Sequence, residues 1–140
     1  MNKLSMKSMS NQALKKKKKG FTLVELIIVI AIIAILAAIA IPKMGYVRTN
    51  ANIKADIANA KNIHTAAASA LIDEKIDKGK SYDLGTDTGK PIKDRIDAYS
   101  QSKAISGKDF VAVVDDNGNI TITVDSKQAF PEQAEEFKTK

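Results

Sequence analysis

KKKKKGFTLVELIIVIAIIAILAAIAIP, residues 15–42, decides how the rest of the chain is read. Five lysines stop at Gly20, and from Phe21 to Ile41 the chain runs 21 residues with one ionisable side chain, Glu25, and one other polar one, Thr22. A helix of that length spans roughly 31 Å, matching a hydrocarbon core of about 30 Å. Leu26 to Ile41 holds only Leu, Ile, Val and Ala. Such a helix is apolar on every side, so it belongs in lipid or inside an assembly of its own kind.

Two ordinary readings compete for the stretch. A secretory signal has a basic start, an apolar core and a small-x-small cleavage site, which Ala38-Ile39-Ala40 supplies. A plain single-pass anchor is the other. Glu25 speaks against both, because a charge at mid-bilayer costs about 2.5–3.5 kcal/mol on insertion scales and is of no use to a signal or an anchor even near the helix end. A carboxylate there calls for a function and a partner.

Gly20-Phe21-Thr22-Leu23-Val24-Glu25, preceded by lysines and followed by the apolar run and Pro42, resembles the N-terminal signature of type IV prepilins and related pseudopilins. The resemblance is confined to this stretch, yet it requires a small residue, an aromatic and an acid at fixed spacing before a membrane-length helix. It implies a membrane aspartyl peptidase that cuts after Gly20 and methylates the new amine of Phe21. It also implies that Glu25, with Phe21, serves filament assembly. The implied partners are further copies of the chain in a helical filament, the prepilin peptidase, the assembly machinery of the cytoplasmic membrane, and lipid before assembly. The chain would then cross the membrane once with its C-terminus outside, and reach the cell surface as a pilus.

The resemblance divides the chain into a removed basic leader (1–20), a membrane and filament-core helix (21–42), an amphipathic helical half (43–79) and a small head (80–140). The leader carries seven lysines and no acid, so the formal net charge of +6 becomes −1 on cleavage after Gly20, with 15 Lys and Arg facing 16 Asp and Glu. The basic balance therefore belongs to the leader, where lysines hold that end in the cytoplasm, and nucleic acid is not an expected partner. Cysteine is absent. Many Gram-negative pilins close a C-terminal loop with a disulfide, so the resemblance points to a cysteine-free major pilin of Gram-positive type.

Pro42 cannot donate the helix hydrogen bond and crowds the preceding turn, so a kink is expected there, eased by Gly45. Downstream, Ile53, Ile57, Ala60, His64, Ala67 and Leu71 recur at steps of four and three, one face of an amphipathic helix, with Lys54, Asp56, Lys61, Thr65 and Asp73 elsewhere. Gly79 after Asp77-Lys78 supplies the expected helix end. His64 has no second histidine, cysteine or nearby acid to make a metal or catalytic site, and reads as a neutral core histidine hydrogen-bonded through one ring nitrogen.

Residues 80–93 are loop-like in content. Gly85-Thr86-Asp87-Thr88-Gly89-Lys90 fails as a phosphate-binding loop, being one residue short and followed by Pro91 instead of Ser or Thr. Ile92 to Ser102 is expected to form a short helix with Ile92, Ile96 and Tyr99 on one side. Phe110–Val114 and Ile120–Val124 are β-branched and flank Asp115-Asp116-Asn117-Gly118-Asn119, which predicts a hairpin over about residues 110–124. That turn fails the calcium-loop pattern because Ile120 stands in the glycine place. The tail from Asp125 carries Phe130 and Phe137 to pin it to the head as an edge element or a short helix.

The expected fold is α+β, a long N-terminal helix packed on a small antiparallel sheet. No constellation resembles a catalytic site, and no enzyme activity, cofactor or metal is expected. The expected function is that of a type IV pilus subunit for adhesion, aggregation or twitching. A pseudopilin of a type II secretion-like or competence filament is the alternative, and a secreted binding domain starting at Ile41 is the second.

Overall fold

The computed structural model describes residues 20–140; the lysine run and the rest of the leader before Gly20 lie outside them. The chain divides into two compact units, one ending at Ala40 and one running from Ile41 to Lys140. Helix α1, Leu23–Ile72, is continuous through Pro42.

The class is α+β, a long N-terminal helix packed on a small four-stranded antiparallel sheet. The strands β1 (Ser81–Asp83), β2 (Phe110–Val114), β3 (Ile120–Val124) and β4 (Lys127–Phe130) lie in sheet order 1-2-3-4, each antiparallel to its neighbour. The expected hairpin is β2–β3, in register from Phe110 opposite Val124 to Val114 opposite Ile120. Alternation does the sorting: Phe110, Ala112, Val114, Ile120, Ile122 and Val124 are buried, while Thr121 and Thr123 turn outward. They share the core with Ile53, Ala60, Ile63 and Ala67 of α1.

Asp115 N–H donates to the Asn119 carbonyl at 3.0 Å, and Gly118 takes φ 91°, which glycine adopts without a Cβ penalty. β3 returns to β4 through Asp125 and Ser126, with φ 51° and 64°, the two left-handed residues that a tight twisted hairpin requires. This strand is the edge element anticipated for the tail. After it, a short 3-10 turn, Glu135–Phe137, buries Phe137 in the core.

Three local expectations differ from the structure. α1 stops at Ile72, not near Gly79. Lys75 N–H bonds back to the Ala70 carbonyl at 2.9 Å and Glu74 N–H to Leu71 at 3.2 Å, the paired bonds of a Schellman end, with Glu74 in the left-handed position at φ 57°. A glutamate there hides the signal that glycine would give. The 80–93 loop contains β1, a 3-10 turn (Asp87–Gly89) and α2 (Lys90–Lys93). The expected 92–102 helix is limited to α2, although Ile92 is buried and Ile96 and Tyr99 pack against the core as that pattern required.

Candidate functional site

The first turn of α1 is closed by its own side chains. Thr22 stands just before the helix and Glu25 is the third helical residue. Thr22 N–H donates to Glu25 Oε2 at 2.8 Å, and Glu25 N–H donates to Thr22 Oγ1 at 3.2 Å. This reciprocal pair is a capping box, satisfying two helix donors that would otherwise lack partners. The carboxylate also stands at the positive end of the helix dipole. Thr-x-x-Glu before an apolar run is legible in the sequence, so Thr22 is a capping residue that pattern reading passed over in favour of Glu25 alone.

Gly20 and Phe21 precede the helix in non-helical backbone, and both are exposed, Phe21 by 93%. Beyond them the helix surface is apolar all round: Val24, Leu26, Ile30, Ile33, Leu36 and Ile39 are all exposed within the chain. This stretch is long and apolar enough to cross a membrane. Pro42 sits within the helix, which is helical on both sides of it.

His64 is half-buried beside the buried stripe, not at its centre, and its ring meets Phe130 edge-on at 4.8 Å between centroids. Burial lowers its pKa from 6.5, which favours the neutral ring. The stripe itself is rotated from the expected one. Asp56, placed off the buried face by pattern, is fully buried. Ser102 Oγ donates to its Oδ2 at 2.5 Å, Ala104 N–H to the same oxygen at 2.9 Å, and Lys103 N–H to Oδ1 at 2.8 Å. Ser102 Oγ in turn accepts the Ile105 N–H at 2.9 Å. Sequence alone could not find this, because the partners, a serine hydroxyl and two backbone N–H groups, belong to a loop 46–48 positions away.

The acidic turn is built around Asp115. Its Oδ1 accepts the N–H groups of Asn117 at 2.9 Å and Asn119 at 2.7 Å, and its Oδ2 accepts the Asn119 side-chain amide at 2.9 Å. These bonds, those from Asn119 foremost, hold its carboxyl below the usual carboxylate range. Tyr99 bridges the sheet to its preceding loop, its hydroxyl donating to Asp109 at 2.6 Å and accepting from Phe110 N–H at 3.2 Å. Desolvation and the Asp109 bond push its pKa upward. Among the described residues, no three His, Cys, Asp or Glu side chains converge as a metal site would require.

The prokaryotic N-terminal methylation motif matches the chain over residues 15–41, the stretch that contains the lysine run, the Gly20–Phe21 step, the capping box and the all-apolar helix. No curated protein and no solved structure matches the chain. With an apolar helix of membrane length opened by a Thr22–Glu25 cap and lying within that motif, the N-terminal segment of this chain is that of a type IV pilin-like prepilin.

Proposed function

We propose that the chain is the structural subunit of a type IV pilus, assembling through its N-terminal helix into surface filaments that serve adhesion, aggregation or twitching. The observation that carries this reading is the α1 surface from Leu26 to Ala40, apolar on all sides and uncovered by the other described residues, inside a methylation motif. Prepilin peptidase removes residues 1–20 and methylates Phe21. The mature chain waits in the cytoplasmic membrane with residues 43–140 outside, and the assembly machinery draws it into the filament. Pro42, which has no N–H to donate, stands where the membrane-length half gives way to the amphipathic half.

Glu25 sets the stagger. Its Oε2 holds the Thr22 N–H, while the amine freed at Phe21 stays cationic after methylation and lies four residues away in sequence. In a core packed from such helices, Glu25 of one copy pairs with the Phe21 amine of the next. An unpaired buried charge costs about 3–5 kcal/mol, so a wrong stagger is rejected. The pseudopilin reading ranks second. It gains from calcium in the acidic loop, and there the Asp115 oxygens are already engaged by the turn.

The test is the N-terminal mass of the mature chain together with the filaments sheared from cells. N-methylated Phe21 in surface filaments is the expected result. A chain beginning at Ile41 and free in the medium overturns it, and short periplasmic filaments with calcium-dependent stability favour the pseudopilin.

A further inference from the structure

The C-terminal part of α1 turns one face into the core and the opposite one to solvent. Lys43, Lys54 and Lys61 are eleven and seven residues apart, about three and two turns at 3.6 residues per turn, so they stand in one row along the helix. Val47, Ala58 and Thr65 fall in the same row and are exposed like the three lysines, while Asn50, also in it, is half-buried and bonded to the Lys140 backbone at 2.9 and 3.1 Å. Ile53, Asp56, Ala60, Ile63 and Ala67 face the other way, into the core.

The row is also electrostatically one-signed. From Lys43 to Ile72 the chain has four cations, Lys43, Arg48, Lys54 and Lys61, and one acid, Asp56. Asp56 is fully buried, with its oxygens taken by Ser102, Lys103 and Ala104, so the exposed surface of this stretch presents no carboxylate. None of the four cations joins an ion pair among the described residues. Residues 73–140 have the opposite balance, fourteen acids against eleven cations. There Glu74, Asp87, Asp94, Asp97, Asp116 and Glu132 are exposed and outside every ion pair among the described residues.

We propose that the lysine row of α1 is a docking surface for a second copy of the chain, whose 73–140 portion brings exposed carboxylates against it. Ala58 and Thr65, small residues in the same row, let the neighbour's backbone come close enough for the long lysine side chains to reach its acids. A lipid surface is the weaker occupant. Lys54 and Lys61 lie roughly 20 and 30 Å along the helix from Ile41 at 1.5 Å per residue, well beyond a Debye length of about 8 Å from a membrane edge there. The proposal rests on the filament reading for its setting and adds a contact outside the apolar core.

The test uses the full chain in cells that process and assemble it. Lys54→Glu/Lys61→Glu is expected to leave mature chain in the membrane at the wild-type level and to cut sheared filaments at least tenfold, whereas Lys54→Arg/Lys61→Arg assembles normally. A zero-length carbodiimide, applied to wild-type filaments made from a mixture of isotopically light and heavy chains, is expected to join Lys54 or Lys61 of one chain to an acid between 73 and 140 of another. The yield should fall as salt is raised. Normal filaments from the double glutamate variant overturn the proposal, as do cross-links from these lysines only within one chain or to none of those acids. If the wild type makes no filaments, the filament reading fails. The same cross-linking on concentrated chain in detergent then decides the docking surface, with an absence of light–heavy pairs counting against it.

Discussion

One helix carries two regions with opposite needs. Up to Ala40, α1 exposes Val24, Ile30, Ile33 and Leu36, and none of the other described residues covers them. From Ile53 to Ala70 the same helix buries a narrow stripe, Ile53, Ala60, Ile63, Ala67 and Ala70, in the core it shares with the sheet and presents lysines on the other side. The backbone geometry is common to both, so the difference lies in the side chains alone. A helix apolar on one face finishes its burial within the chain; one apolar on every face needs lipid or other copies. The first region is therefore defined by partners and the second by its own core, and substitutions in the two should fail in different ways.

The largest effect falls at the start of the partner-dependent region. Gly20→Arg is expected to abolish leader removal, because a bulky charged residue does not fit a peptidase site that accepts glycine at the membrane edge. Immunoblots of membranes should show precursor alone and no filaments. Normal mature protein from this variant would put cleavage elsewhere and break the comparison at its root.

Next comes Glu25, where cap and charge can be separated. Glu25→Ala removes both the carboxylate and its bond to Thr22 N–H, and Glu25→Gln keeps an acceptor for the cap while removing the charge. Losing an N-terminal cap costs about 0.5–2 kcal/mol of helix stability, which a helix this long in lipid absorbs. Both variants are therefore expected to be inserted and cleaved normally and to leave mature monomer in the membrane, with filaments from neither as sole subunit. Filaments of ordinary stagger from Glu25→Gln but not from Glu25→Ala would make the cap, not the charge, the reason for the glutamate.

In the self-contained region the largest effect is expected at Asp56. Asp56→Ala strips three hydrogen bonds from a fully buried carboxylate and leaves Ser102, Lys103 and Ala104 with donors to satisfy. Hydrogen bonds to a charged group contribute about 1.5–3 kcal/mol each and are not additive, so a loss of about 3–5 kcal/mol is expected. Thermal unfolding of the detergent-solubilised mature chain, followed by circular dichroism, should show it. Insertion and cleavage should be unchanged, because residues 21–41 do not draw on that core. A loss below about 1 kcal/mol would mean that water replaces the carboxylate in the loop.

How much of this was legible follows the same division. Unbroken apolarity from Leu26 to Ile41 is a one-dimensional signal, and no tertiary contact was needed to read it. The β2–β3 hairpin was equally local, with alternating β-branched residues around Asn117-Gly118 and an Asp115 that folds its turn around itself. What escaped was held by distant partners or by an unusual residue in a usual role. Asp56 looks like surface until the Ser102 hydroxyl and the 103–104 backbone arrive. Glu74 ends the helix in a position where glycine is the familiar sign. β1 has only Ser81, Tyr82 and Asp83, too short for alternation to announce it, and it exists because β2 offers an edge. Thr22 is the opposite case, a cap written plainly in sequence but overshadowed by the acid three residues on.

The smallest effect is expected at His64, and it bears on whether the amphipathic half carries any chemistry of its own. The ring lies half-buried beside the stripe and edge-on to Phe130. Burial lowers its pKa from 6.5, so the unfolded chain takes up a proton before the folded one does. The stability tied to the neutral ring is complete above about pH 6.5, the unfolded value, and is lost as pH falls through the lower folded value. His64→Leu removes that titration and puts an apolar side chain against Phe130. An edge-on aromatic contact contributes about 0.5–1.5 kcal/mol, and the gain from burying leucine offsets it. The variant should assemble normally and unfold near the wild-type temperature at pH 7.5, then become the more stable of the two at pH 5.5. Thermal melts at the two pH values measure the crossover. A folded His64→Leu chain that makes no filaments would give the histidine a partner in another subunit, and the second region would then depend on neighbours through its buried side as well as through its lysine row.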